Sequence, residues 1–143
     1  MRQPIVQNKF ENDCYYVTLY FPKLDKTFEG VCKLHEEDKE NASKLKGYFI
    51  AEDRAWIKYY KYLRADEKKV LKAFNSFIET YKNSKEYNEK DFLARKLRKE
   101  RFLIMSRIKE LTEAIEELQD IILKRIYFVP KKYKEIINDQ ERK

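Results

Sequence analysis

The sequence predicts an α+β protein, mainly α, in which an N-terminal β-hairpin or small antiparallel sheet precedes a three- to four-helix arrangement with one long coiled-coil-like helix. Three observations carry this. Residues 48–129 contain no glycine or proline, the usual breakers of helix. Residues 14–21 alternate in the manner of a half-buried strand. Ile104, Ile108, Leu111, Ile115, Leu118 and Ile122 repeat in a strict four-three pattern, and Leu97 extends it one heptad back. At 143 residues and 43% hydrophobic content the chain fits one domain, with 1–35 as the hairpin part and 36–143 as the helical part.

The first strand places Tyr15, Val17, Leu19 and Phe21 on one face and is rich in aromatic and β-branched residues. Pro22 ends it, and Lys23 to Thr27 make a polar turn. A second strand returns with Phe28, Gly30, Cys32 and Leu34 on one face. A lone hairpin is marginal in water, so it must lie on the helices, gain a strand from Ile5 and Val6, or pair with another chain. Cys14 and Cys32 fall on these adjacent strands and read as free thiols in a reducing compartment. No apolar run approaches the ~18 residues of a membrane span, so a soluble, cytoplasmic protein without membrane contact is expected.

A first helix begins in the acidic stretch after His35, or just after Gly47, and runs to about Leu63, with Phe49, Trp56, Tyr60 and Leu63 at helical spacing. Asp66 caps a second helix whose apolar stripe is Val70, Phe74, Phe77 and Tyr81. Asn83 to Lys90 form the next connection, and Asn88 caps the third helix, with Asp91 three residues on favouring its positive end. Pro130 suits the first turn of a short last helix carrying Tyr133, Ile136 and Ile137.

Charge is distributed unevenly. Cations and anions number 8 and 8 in residues 1–47, 16 and 9 in 48–108, and 8 and 8 in 109–143. Arg95, Lys96, Arg98, Lys99 and Arg101 crowd the start of the long helix, where cations oppose the macrodipole. The next stretch reverses sign with Glu110, Glu113, Glu116, Glu117 and Asp120. Two partners answer such a helix. A second copy laid antiparallel would use the Ile104 to Ile122 seam as a homodimer interface. A polyanion would meet the basic cluster together with Lys58, Lys61 and Arg64, where Tyr59, Tyr60 and Tyr62 offer rings for unpaired bases. Against both stands the ordinary case, in which charges on the outer face of an amphipathic helix are simply solvated and tyrosines pack the core and its rim.

Chemistry is sparse. Cys32 and His35 have C-x-x-H spacing with Glu36, Glu37 and Asp38 behind them, but a tetrahedral zinc site needs four ligands and only Cys14 is an obvious addition. With one histidine, two glycines and no glycine-rich turn, no phosphate-cradling loop or catalytic triad can be read. No catalytic residue, metal or cofactor is expected, and the chain reads as a non-enzyme.

The stretch from Glu29 through Gly30, Cys32, Lys33 and His35 to Asp38, followed by Gly47, Ile50, Ala51, Arg54 and Ala55, resembles a pattern in small uncharacterised bacteriophage and prophage proteins. In these a strand ending G-x-A-K-C-H-P-x-D leads into G-x-x-[IL]-A-x-x-R-A on a helix. Leu34 stands where the family often has cysteine and Glu36 where it has proline; loss of that cysteine next to His35 weakens any metal role carried over. Read from the residues themselves, Gly30 permits close approach, His35 and Asp38 cap the incoming helix, Gly47, Ala51 and Ala55 give a small face, and Arg54 pairs with Asp38. The resemblance implies a phage-type protein that binds host machinery. The leading expectation is an inhibitor of a host protein or ribonucleoprotein, most concretely an anti-CRISPR or other counter-defence factor. The alternatives are a nucleic-acid-binding protein acting through the 48–108 surface and a homo-oligomeric assembly protein.

Overall fold

A computed structural model describes residues 3–33 and 41–127. Its elements are β1 (Ile5–Glu11), β2 (Cys14–Phe21), β3 (Lys26–Lys33), α1 (Asn41–Lys82) and α2 (Phe92–Tyr127). The three strands form one antiparallel sheet in the order β1-β2-β3, so Ile5 and Val6 do open an additional strand. Asn12 and Asp13 join β1 to β2 with positive φ of 53° and 60°, the two-residue turn whose twist suits a hairpin and whose left-handed backbone Asn and Asp tolerate. Pro22 starts the second turn, where the Leu24 N–H donates to the Phe21 carbonyl at 3.1 Å.

Register assigns the faces. Val17 stands opposite Gly30, Leu19 opposite Phe28, and Tyr15 opposite Cys32, so these residues share the core face. Cys14 pairs instead with Lys33 on the outer face, which puts the two thiols on opposite sides of the sheet, beyond the reach of a disulfide.

Among the described residues two helices stand where three were expected ahead of Pro130. The interval around Leu63 to Asp66 is continuous helix, because a single exposed Asp costs a helix interior only about 0.7 kcal/mol relative to Ala and no glycine or proline is present to break it. Gly47 lies inside α1 rather than ahead of it. At the start of α2 the cap is Asp91, not Asn88: the Asp91 carbonyl accepts the Arg95 N–H at 3.1 Å and its carboxylate accepts the Phe92 N–H at 2.7 Å. Asn88 serves the preceding turn through the Lys90 N–H at 3.0 Å. His35, the acids Glu36 to Asp38 with the Asp38–Arg54 pair, and the short helix after Pro130 lie outside the described residues.

The chain divides into two compact units, one built from 1–59 with the chain from 115 onward and the other from 60–114. In the first, the sheet lies on α1 across a stripe of small residues. Gly47, Ala51 and Ala55 recur every four residues and are buried. Gly30 comes so close that a methyl group there would sit 1.8 Å from the Ala51 carbonyl oxygen and 2.5 Å from the Ala55 nitrogen. Beside this contact Phe21 stacks on Tyr59 at 3.9 Å and 16°, with Trp56 and Phe28 edge-on to Phe21. Arg54 donates to the Val31 carbonyl at 2.7 Å, tying helix to sheet edge. Ile50, Ile57, Ile115 and Ile122 are buried in the same unit, whereas Phe49 and Trp56 of the expected stripe stay partly open.

Asp53 and Arg125 make a half-buried charge contact in this unit. Oδ2 lies 3.3 Å from Nε, an ion pair by distance but without an aligned hydrogen bond, and Arg125 also lies over the Phe49 ring at 4.9 Å. Burial raises the Asp53 pKa; Arg125 opposes the rise and does not cancel it.

Two outcomes are expected. Gly30→Ala should cost about 3 kcal/mol in urea denaturation, because the intruding methyl meets backbone and not a movable side chain. For Asp53, the folded state holds its proton more tightly than the unfolded chain. Its contribution is therefore fully present below the unfolded value of 3.8 and is lost as pH rises through the raised folded pKa. The stability of Asp53→Asn relative to the parent should thus improve across that window; a difference that runs the other way would refute the assignment.

Candidate functional site

The second unit is an antiparallel helical hairpin pinned by polar side chains. Climbing α1, Arg64 donates to Thr112 at 3.4 Å, Arg107 meets Glu67 at 3.2 Å, Arg101 donates to Asn75 at 2.8 Å, and Tyr81 donates to Asp91 at 3.2 Å. Partners climb α1 as they descend α2. On α1 the residues turned inward are Glu67, Leu71, Phe74, Ile78 and Tyr81, all half-buried. Val70 and Phe77 of the expected stripe are 44% and 54% exposed. The true stripe is rotated by one residue at two of its four positions, because Leu71 and Ile78 satisfy the helical period as well as Val70 and Phe77 do.

Of the α2 seam, Ile104, Ile115 and Ile122 are buried and Ile108, Leu111 and Leu118 half-buried, so its own chain covers three of the six positions fully and the other three in part.

Where the hairpin closes, a cleft of about 610 Å³ is lined by Tyr81, Tyr87, Leu97, Arg98 and Arg101 together with Lys82, Glu79 and Glu89. Ala94 and Leu97 form a buried apolar floor. Tyr81 and Tyr87 meet edge to face at 5.5 Å, and burial followed by the bond to Asp91 raises the Tyr81 pKa, keeping its hydroxyl a donor. Arg98 is held by the Glu89 carbonyl at 3.1 Å and Arg101 by the Asn75 side chain at 2.8 Å. Each of these bonds uses one guanidinium nitrogen, and a guanidinium has five N–H donors in a planar fork. Two oriented cations on one cleft can hold a phosphate or carboxylate.

The other expected contact residues scatter. Arg95 donates twice to the Lys90 carbonyl, at 3.2 and 2.8 Å, and serves the turn. Lys96 and Lys99 are exposed on α2, as are Lys58 and Lys61 on α1. Arg64 stands eleven residues along α1 from Asn75, about 16 Å of helix axis, so it belongs to no common site with Arg101. Tyr59 has one ring face covered by Phe21 and is a packing residue of the first unit. Tyr60 and Tyr62 are half-buried. Asn75, Glu89 and the two cleft tyrosines escaped sequence reasoning, since Asn75 and Tyr87 meet Arg101 and Tyr81 only once the hairpin has closed.

No protein-family model, curated protein or solved structure matches the chain. Among the described residues no group of three or more His, Cys, Asp and Glu comes together as a metal site, and no helix is long and apolar enough to cross a membrane.

Asp91 links the cap of α2 to the cleft. Asp91→Ala should lower stability by about 1 kcal/mol and Asp91→Asn by less, as Asn retains an accepting oxygen. Chemical denaturation followed by circular dichroism checks both.

Proposed function

We propose that the protein is a non-enzymatic, phage-type binding protein that occupies a host protein or ribonucleoprotein through the closed end of its helical hairpin. The observation that carries this reading is the segregation of charge. Residues 60–114 hold 15 cations and 9 anions, whereas the described residues of the other unit hold 10 and 9. An excess confined to one unit is the footprint of an acidic partner. Within it, Arg98 and Arg101 are the cations held in fixed geometry on a cleft. The cleft offers groups that hold an anion and stack against flat rings. Inhibition of a CRISPR effector or a similar defence complex is the most concrete form, supported by the resemblance of residues 29–55 to small phage proteins.

Direct nucleic-acid binding is the second reading, favoured by the same charge excess. The two separate in one experiment. Tagged protein captures partners from bacterial lysate with and without nuclease. A single host protein retained after nuclease supports the first reading; loss of every partner supports the second. Arg98→Glu with Arg101→Glu should abolish capture in either case with an unchanged circular dichroism spectrum. If single-stranded nucleic acid is the ligand, the milder Arg98→Ala with Arg101→Ala should weaken binding and lower its log–log salt slope by about 1.4. Capture at parental levels by the double variant would refute the cleft as the contact.

A further inference from the structure

The order β1-β2-β3 leaves the sheet with two edges, and the chain treats them differently. The β3 edge is occupied where Arg54 donates to the Val31 carbonyl at 2.7 Å. That bond also fixes which backbone groups face outward. Val31 points away from β2, so Gly30 points toward it and bonds with its partner Val17. Thr18, next along β2, then faces Gln7 of β1, in agreement with the Thr18 hydroxyl 3.5 Å from the Gln7 carbonyl. Val6, Asn8 and Phe10 therefore turn their N–H and C=O groups to the outer edge of β1. Among the described residues no further strand pairs there, and all seven residues of β1 are exposed.

The core face is also unfinished at this edge. Val6 stands opposite Leu19 and Phe10 opposite Tyr15, so both share the buried face of the sheet. Yet Val6 is 45% and Phe10 47% exposed while Leu19 is fully buried. An open edge with apolar residues on its inner face is a template for another strand.

We infer that the strand is β1 of a second copy, paired antiparallel across a two-fold axis at Asn8 to extend the sheet through both molecules. The sequence of β1 is self-complementary in that register. Val6 of each copy falls opposite Phe10 of the other, Gln7 opposite Lys9, Ile5 opposite Glu11, and Asn8 opposite itself. The two half-exposed apolar residues cover each other, and no like charges stand directly opposite. The outward groups of Val6, Asn8 and Phe10 then pair as narrow hydrogen-bonded pairs. Moving the axis to Lys9 would set Lys9 against Lys9 and Phe10 against Asn8, so the axis at Asn8 is favoured. This interface uses neither the helical hairpin nor its cleft and stands apart from the function proposed above.

The test is light scattering on the full chain over a concentration series, combined with amide hydrogen exchange. The parent should have dimer mass and slowed exchange at Val6, Asn8 and Phe10. Asn8→Pro should return it to monomer mass with an unchanged circular dichroism spectrum, since an edge strand tolerates proline where the N–H faces outward. Val6→Lys, which leaves the backbone intact and charges the inner face of the edge, should do the same and guards against misfolding of the proline variant. Three results would each overturn the inference: a parent that stays monomeric at millimolar concentration with fast exchange in β1, a parent that is monomeric yet protected there because its own chain covers the edge, or a dimer that survives both substitutions.

Discussion

The contact of Gly30 with the backbone of Ala51 and Ala55 sets the distance between sheet and helix in the first unit, and most of that unit follows from the distance. Only a residue without Cβ lets strand and helix approach until backbone meets backbone. Because they meet, Arg54 is near enough to reach the Val31 carbonyl, and Tyr59, one turn beyond Ala55, lies flat on Phe21 at 3.9 Å. Large aromatic rings take up the space beside the small-residue stripe, where the surfaces diverge. The dispersion energy of the cluster thus depends on a glycine that contributes no side chain of its own.

The second unit is held by other means. Few of its side chains are fully buried, and Val70, Phe77, Phe102, Leu103 and Met105 remain well exposed. Its register depends on polar pins, each contributing about 0.5–1.5 kcal/mol where exposed to solvent. One of those pins, at Asn75, orients Arg101 of the cleft, and the Glu89 carbonyl in the connection orients Arg98. Stabilising the hairpin and presenting cations are therefore one arrangement, which accounts for basic residues near the start of α2 despite the unfavourable macrodipole.

Much of this was legible in the sequence, and the failures have physical causes. β2 and β3 announce themselves by alternation and by Pro22. β1 is fainter because Gln7, Asn8 and Lys9 interrupt the apolar pattern, and all seven of its residues are exposed. Continuous helix from 48 follows from the lack of glycine and proline, but a cap residue such as Asp66 reads the same whether it starts a helix or sits exposed in the middle of one. The stripe of α1 was ambiguous because Val70 and Phe77 compete with Leu71 and Ile78 at nearly equal period, and only the partners on α2 decide between them. The cleft was half visible: its arginines stand out as charge, while the groups that orient them are ordinary polar residues brought near by the turn.

The first unit is discontinuous in sequence, and this bears on the order in which the molecule is made. The sheet and the start of α1 are synthesised first, but Ile115 and Ile122 arrive only after the whole of 60–114. Joining two segments so far apart through a slack loop would carry a large closure entropy. The intervening hairpin closes through contacts nearer in sequence, which form sooner than those between the distant segments. Until then the first unit lacks Ile115 and Ile122, two of its buried apolar side chains, so the nascent chain carries a half-finished core.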